Sequence, residues 1–388
     1  MKKISGLIFS FCIVLSVPFS TQIVVAQSIS LPGQQRGKFA DHHNVLQQQL
    51  AEKTIPDKTN AVLHSLVSTV VLDPAFGTNG SLRTFINGGK SSNKDDRATS
   101  VALQSDGKIV VAGRSEDDSY YYAFALTRFN RDGSLDSAFG NSGSKRNFIS
   151  AGDIDDEANS IAVQSDGKIV AAGYSTDALG HIAFALARYD TAGNLDTTFG
   201  SHGTKKNNIK GGNSKSDYAY SVALQSDGKI VAAGRSGDAS SNYAFELARY
   251  NTDGSIDSAF GTNGTTVNNI YRGGHSEDII NSVALQSDQK IIAAGQSMDS
   301  SGYYRGCALA RYNTDGSLDN TFGTSGTVRN YISGGNSSND LACSVVLQSD
   351  GKIVTAGWSE DPVGNAFFIA RYTTDGNLDS SFNTTGTI

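Results

Sequence analysis

The stretch Ser100–Gly113, Ser-Val-Ala-Leu-Gln-Ser-Asp-Gly-Lys-Ile-Val-Val-Ala-Gly, comes back four more times along the chain, beginning at Ser160, Ser221, Ser282 and Ser344. The glutamines of these copies, Gln104, Gln164, Gln225, Gln286 and Gln348, are spaced by 60, 61, 61 and 62 residues. Self-similarity at a fixed period means that one supersecondary unit is stacked against copies of itself. A period this long, filled with several short strands, points to a β-propeller rather than a helical solenoid. Composition agrees: glycine is high at 42 residues, as expected where many tight turns join short strands.

Each period holds four strand candidates. In the first repeat these are Ser100–Gln104, Lys108–Arg114, Ala123–Asn130 and Lys145–Ile149. The first two flank Asp106-Gly107, a strong hairpin signal because a tight turn of this kind needs a positive φ that glycine adopts freely. The second strand is apolar on both faces and is expected to be buried on both. The third ends at a second Asp-Gly turn, Asp132-Gly133, and a Leu-Asp-x-x-Phe-Gly loop, Leu135–Gly140, leads to the fourth. In the fourth repeat Gln289 replaces the turn glycine; a positive φ there costs on the order of 1 kcal/mol.

The fifth unit has three strands, and the chain stops two residues after Gly386, where its fourth is due. At the other end, Leu82–Ile86 reads as a fourth strand with no partners before it. The expectation is a five-bladed, all-β propeller over 72–388, closed by strand 82–86 completing the last blade, since closure removes an exposed sheet edge. An open fragment of a larger ring, or dimerisation through the free edge, is the alternative.

Residues 1–26 read as a secretory signal: Lys2 and Lys3, a mostly apolar run Ile4–Phe19, and small residues up to Ala26. Residues 27–71 belong to no repeat and read as an N-terminal arm. The expected location is therefore secreted, periplasmic or cell-surface, with no integral membrane contact, as a monomer. In such a compartment Cys307 and Cys343 can oxidise; Cys307 also stands where Phe124, Phe184, Phe245 and Phe367 stand in the other repeats, the place of a core residue. A net charge of −6 with no basic stripe argues against nucleic acid as a partner.

The phrases Val-Ala-Leu-Gln-Ser-Asp-Gly-Lys-Ile-Val and Phe-Ala-Leu-Ala-Arg-Tyr, followed by Asp-Gly-Ser-Leu-Asp-x-x-Phe-Gly, resemble the delta-60 repeat of exported bacterial proteins, over Leu72–Ile388. A looser similarity runs to NHL-type propellers. The resemblance implies a propeller and export, and it implies no common activity.

Residues identical in every repeat are expected to hold the scaffold. Arg128, Arg188, Arg249, Arg311 and Arg371 each precede an aspartate, Asp136, Asp196, Asp257, Asp319 or Asp379, by eight positions, the pattern of a repeated ion pair. Asn130-x-Asp132-Gly133-x-x-Asp136 resembles part of a calcium loop but supplies fewer than the 6–8 oxygens Ca²⁺ takes; an Asx-capped turn is the other reading.

Two further sets fall on one expected face. Asp96, Asp156, Asp217, Asp278 and Asp340 precede the first strands, and Asp117, Asp177, Asp238, Asp299 and Asp361 follow the second. Unpaired and convergent, such carboxylates, the first set above all, would make a cation site for Ca²⁺ or an anion-repelling mouth; otherwise each caps its own loop, and no cofactor is expected. On the same face the sequence varies: Arg114, Tyr174, Arg235, Gln296 and Trp358 come just after the Ala-Gly of the second strands, and Tyr120, Tyr121, Tyr122, His181, Tyr243, Tyr303 and Tyr304 stand nearby. Such residue types anchor interfaces, so these five are the candidate ligand-binding residues.

No serine-hydrolase elbow or phosphate loop is evident, and the six histidines show no metal spacing. The expected function is non-enzymatic: an exported scaffold that binds a protein or glycan through an acidic, aromatic-bearing face. The alternative is a metal-assisted hydrolase or lactonase at the channel mouth.

Overall fold

In the computed structural model, residues 72–86, 95–208, 216–238, 242–270, 277–299, 302–332, 339–361 and 364–387 are described. The signal and arm expected over 1–26 and 27–71 lie outside them. The described residues 72–82 and those from 83 onward fall in two separate compact units. In the first, residues 72–82 form the Leu-Asp-x-x-Phe-Gly turn, with the Ala75 amide on Asp73 Oδ1.

The second unit is all-β. Blade I comprises β1 (Asp96–Leu103), β2 (Ile109–Glu116), β3 (Tyr122–Phe129) and β4 (Ser144–Asn147); blade II comprises β5 (Asp155–Val163), β6 (Ile169–Thr176), β7 (Ile182–Tyr189) and β8 (Thr204–Asn207). Blade III follows as β9 (Asp217–Leu224), β10 (Ile230–Gly237), β11 (Tyr243–Tyr250) and β12 (Thr265–Asn268). Blade IV is β13 (Ile279–Leu285), β14 (Ile291–Met298), β15 (Arg305–Tyr312) and β16 (Thr327–Asn330); blade V is β17 (Asp340–Leu347), β18 (Ile353–Asp361) and β19 (Gly364–Tyr372). Within each blade consecutive strands pair antiparallel. A single parallel rung, Tyr122 to Asp155, joins blades I and II into one eight-stranded sheet. Like rungs tie Ile182 to Ser216 and Tyr243 to Glu277.

Apolar side chains fill the space between neighbouring sheets. Phe124, Leu126 and Phe139 of blade I pack with Ile161, Ile169, Ala185 and Tyr189 of blade II, all buried. The small Ala-Gly pair inside each second strand has a specific cause. Every first strand carries a bulge, in blade I between Ala98 and Ser100. A Cβ on Gly113, Gly173, Gly234, Gly295 or Gly357 would lie 1.8–1.9 Å from the carbonyl oxygen of Arg97, Glu157, Tyr218, Ile279 or Leu341. Only glycine permits that approach. The serine that opens each repeat then reaches the next blade: Ser100 Oγ accepts from the Ile161 amide at 3.1 Å and Ser160 Oγ from the Val222 amide at 3.2 Å.

At the other end of the blade the repeated Arg–Asp pairs form as expected, Arg128 Nε to Asp136 Oδ2 at 2.8 Å and Arg188 Nε to Asp196 Oδ2 at 2.9 Å. They do more than tie one blade together. Arg128 Nη1 also donates to Thr191 O of blade II at 2.6 Å, and Arg188, Arg249 and Arg311 likewise reach Thr252 O, Thr314 O and Thr374 O. Each guanidinium lies over the phenylalanine of its own loop, as Arg128 lies 4.5 Å from the Phe139 ring centre. Burial works against ionisation of Asp136, but hydrogen bonds from Lys108, the Ala138 amide and Arg128 hold it below the ordinary carboxylate value.

Two expectations need correction. The first strands are longer than read, so that Asp96, Asp156, Asp217 and Asp340 lie inside strands. Leu82–Ile86 forms no strand and is not paired with the last blade among the described residues; the Ile86 amide instead donates to Asp96 Oδ2 of blade I at 2.9 Å. The rung expected of a fourth strand in blade V is made by Thr387, opposite Ala370. The face of blade V is correspondingly open: Phe367 is 61% exposed, whereas Phe124, Phe184, Phe245 and Cys307 are fully buried. Gln289 keeps a positive φ of 65°, so its turn is retained. Cys307 and Cys343 are not joined by a disulfide; Cys307 packs beside the Tyr372 hydroxyl, and burial pushes its thiol up to about 12.

Candidate functional site

The bulge fixes what lies at the variable end of each blade. It sets five cross-strand pairs in register: Arg97 with Arg114, Glu157 with Tyr174, Tyr218 with Arg235, Ile279 with Gln296, and Leu341 with Trp358. Directly opposed residues share one face of a sheet, so each blade displays a different two-residue combination at the same place.

Three of the five sequence candidates are brought together. Arg114 Nη1 donates to Glu157 Oε2 of the next blade at 3.3 Å, and Nη2 to Asp95 Oδ2 at 3.4 Å. Its guanidinium lies 4.1 Å from the centre of the Tyr122 ring. The Tyr174 hydroxyl donates to the same Glu157 Oε2 at 3.3 Å and stands 3.5 Å from Asp155 Oδ2. The Tyr174 ring meets Tyr218 of blade III edge-on, with centroids 4.9 Å apart. Arg235 then lies against three rings, with centroid distances of 4.7 Å to Tyr218, 4.1 Å to Tyr243 and 5.9 Å to Tyr220. Arg114, Tyr218, Tyr220, Arg235 and Tyr243 are half-buried, while Glu157 is buried. Gln296 is buried within blade IV, and Trp358 sits on the last sheet opposite the exposed Phe367, so neither belongs to this cluster.

Electrostatics follow from burial and neighbours. Burial raises the Glu157 carboxyl, and the charges of Arg114 and Arg97 oppose that only in part. Burial likewise raises Asp155, with Arg114 opposing. The Tyr174 phenol is driven up by burial and by the charges of Glu157 and Asp155, so it stays a donor. Burial works to lower Arg114, but Glu157 and its other neighbours outweigh it and the guanidinium stays charged. The group thus offers fixed donors, carboxylate acceptors and aromatic faces on three adjacent blades, a set suited to recognising hydroxyls and sugar rings.

Among the described side chains the aspartates of the two sets do not form an acidic face; the Asp361 side chain lies outside them. Asp156, Asp217, Asp278 and Asp340 are fully buried. Asp156 Oδ2 accepts from the Ile149 amide at 2.8 Å, Asp278 Oδ2 from Ile270 at 2.7 Å and Asp340 Oδ2 from Ile332 at 2.6 Å, the bond that Asp96 makes with Ile86. Ser236 donates to Asp217 Oδ1. Burial pushes Asp156 up to about 7. In the second set Asp117 caps the Ser119 and Tyr121 amides, and Asp177 caps Leu179 and His181. Asp132 in the calcium-like loop takes the Ser134 amide and hydroxyl. Among the described residues no group of three or more His, Cys, Asp and Glu is placed to hold a metal ion.

Sequence reasoning missed Asp155, Glu157, Tyr218 and Tyr220. A plain hairpin count from Asp106-Gly107 opposes Arg114 to Ala98, one residue away from its true partner Arg97. A one-residue shift moves every side chain to the other face, and the bulge that causes it has no signal beyond the glycine opposite.

Comparison with known proteins agrees with the repeat. Residues 104–139, 164–199, 225–260, 286–322 and 348–382 match a domain of unknown function (DUF5122) described as a β-propeller, and 265–302 match the WD domain, G-beta repeat. No curated protein matches the chain. Among solved structures, a GH43_1 enzyme from Xanthomonas citri is similar at 10% identity and a TM-score of 0.35, over 72% of this chain and 88% of that one. A PL25 ulvan lyase is similar at 13% identity and a TM-score of 0.41, over 71% and 68%. An endo-arabinase from Bacteroides thetaiotaomicron is similar at 9% identity and a TM-score of 0.38, over 71% and 94%.

Proposed function

We propose that this β-propeller repeat protein is an exported binding scaffold that takes a glycan at the variable ends of blades I–III. The observation that carries the reading is the contact chain Arg114–Glu157–Tyr174–Tyr218–Arg235, which crosses two blade junctions at positions where the repeats otherwise differ. Scaffold positions recur in every blade because every junction needs them. A ligand needs one site, and here charged and aromatic residues run from blade to blade across two junctions. Half-buried tyrosines and arginines also meet the usual composition of binding hot spots. A protein ligand would use the same groups, but an interface of standard size needs about 800 Å² on each partner. Rings at 4–6 Å from one guanidinium suit a smaller, flatter ligand.

The metal-assisted hydrolase reading has less support, because one oxygen of each of the Asp96, Asp156, Asp278 and Asp340 carboxylates accepts from a backbone amide and no group of three or more His, Cys, Asp and Glu among the described residues is placed to hold a metal ion. Ca²⁺ at those positions remains directly testable by titration against thermal stability. The binding reading is tested on a glycan array with the protein and Tyr218→Ala. The expected result is capture of a defined glycan set by the protein and at least about tenfold weaker capture by the variant, as loss of one stacking residue at a hot spot predicts. Equal capture by both proteins contradicts it.

A further inference from the structure

Arg114 and Arg235 occupy the same position in blades I and III, and they hold the same pose: each guanidinium stacks at 4.1 Å on the first residue of the third strand, Tyr122 or Tyr243. They differ in what meets the charge. Arg114 reaches Glu157, the first-strand residue of the next blade. The counterpart of Glu157 in the blade after Arg235 is Ile279, which is apolar and buried. Glu277, two residues before Ile279, is engaged by Arg305. Among the described residues no carboxylate lies within ion-pair distance of Arg235. Its guanidinium is half-buried among Tyr218, Tyr220 and Tyr243, which supply ring faces and hydroxyls but no negative charge.

Removing a guanidinium from water without a counter-charge is unfavourable, and the blade I junction shows which group this position accommodates. We propose that Arg235 is the receptor for the carboxylate of an acidic sugar, which supplies from outside what Glu157 supplies to Arg114 from within. The planar carboxylate matches the guanidinium fork, and Tyr218 and Tyr243 flank it with surfaces on which a pyranose ring stacks. This assignment rests on the glycan reading above and narrows it to uronate-bearing ligands.

The test uses the full chain with oligogalacturonate, its methyl ester and neutral oligosaccharides, with binding read by calorimetry and by the same array. Oligogalacturonate is expected to bind and its methyl ester to bind about ten- to a hundredfold more weakly, the scale of a charge-assisted hydrogen bond. Arg235→Gln is expected to lose the same factor, with the melting temperature monitored as the control for folding. A second variant, Ile279→Glu, rebuilds the blade I arrangement at blade III. It is expected to neutralise Arg235 internally and to abolish the preference for the acid over the ester while the protein stays folded. Equal binding of acid and ester overturns the assignment, as does an undiminished preference in folded Ile279→Glu. Capture of neutral glycans alone removes the uronate assignment and leaves the glycan reading standing; capture of no glycan removes both.

Discussion

The two ends of each blade are built from similar residues and behave differently. At one end Arg128, Arg188, Arg249 and Arg311 pair with an aspartate, stack on a phenylalanine and donate to the next blade. Nearly identical geometry recurs at each junction. At the other end Arg114 and Arg235 also stack on aromatic rings, but their ionic partners change from a glutamate in one junction to none among the described residues in the other. An arginine that recurs with its partner is architecture. An arginine whose partner is withdrawn at one junction is a place for something else to bind. The contrast separates stability from recognition within one repeat, and it can be broken by mutation.

The largest effect is expected at the constant end. Arg188→Ala leaves the buried Asp196 with one fewer cation and strips the Thr252 carbonyl of a donor, so about 3 kcal/mol of stability should be lost, measurable by urea denaturation. Arg371→Ala should cost less, because Arg371 bonds Asp379 and Ser381 of its own blade and its side chain is more exposed, 19% against 6% for Arg188. Equal losses would show that the bond to the next blade contributes nothing.

Gly173→Ala comes next. Its Cβ would fall 1.8 Å from Glu157 O, so the bulge must shift, at a cost of about 2–3 kcal/mol. Because the bulge sets Glu157 opposite Tyr174, this change should also weaken ligand capture, and it is the single substitution expected to damage both ends of the comparison. A folded variant with unaltered capture would mean that the register does not position the site.

A smaller effect separates the ends by pH. The clamp aspartates are depressed, so their contribution is present above the unfolded carboxylate value near 4 and is lost as pH falls through the lower folded value. Asp156 is raised to about 7 by burial. Its contribution is present below about pH 4 and is lost as pH rises through about 7. Asp156→Asn should therefore remove that part of the stability which declines between about pH 4 and 7 and leave the acid limb unchanged. Melting curves across that range check it, and an unchanged profile counts against a buried, protonatable Asp156.

Much of this was legible in the sequence because it is local or strictly repeated. Asp106-Gly107 and its copies fixed the hairpins, the eight-residue spacing from Arg128 to Asp136 marked the clamp, and Cys307 in a phenylalanine position marked a core site. What escaped was contact across a full period. The Ser100 bond to Ile161, the Arg128 bond to Thr191 and the Arg114 bond to Glu157 join residues of different blades, and no short-range pattern encodes them. The bulge compounded this by displacing the register by one, so Arg97, Glu157 and Tyr218 were not seen opposite the variable residues. The aspartates were legible as a set and their role was not, since a capping carboxylate and a cation ligand are the same residue until the amide beside it is seen.

The central claim is that stability resides in the constant end and ligand capture in the variable end. Glycan capture and unfolding free energy measured together on Arg188→Ala and Tyr218→Ala test it most directly. The account predicts that Arg188→Ala loses stability and, where folded, binds as the unaltered protein does, while Tyr218→Ala loses binding with little change in stability. Binding that falls in step with stability in both variants would contradict it.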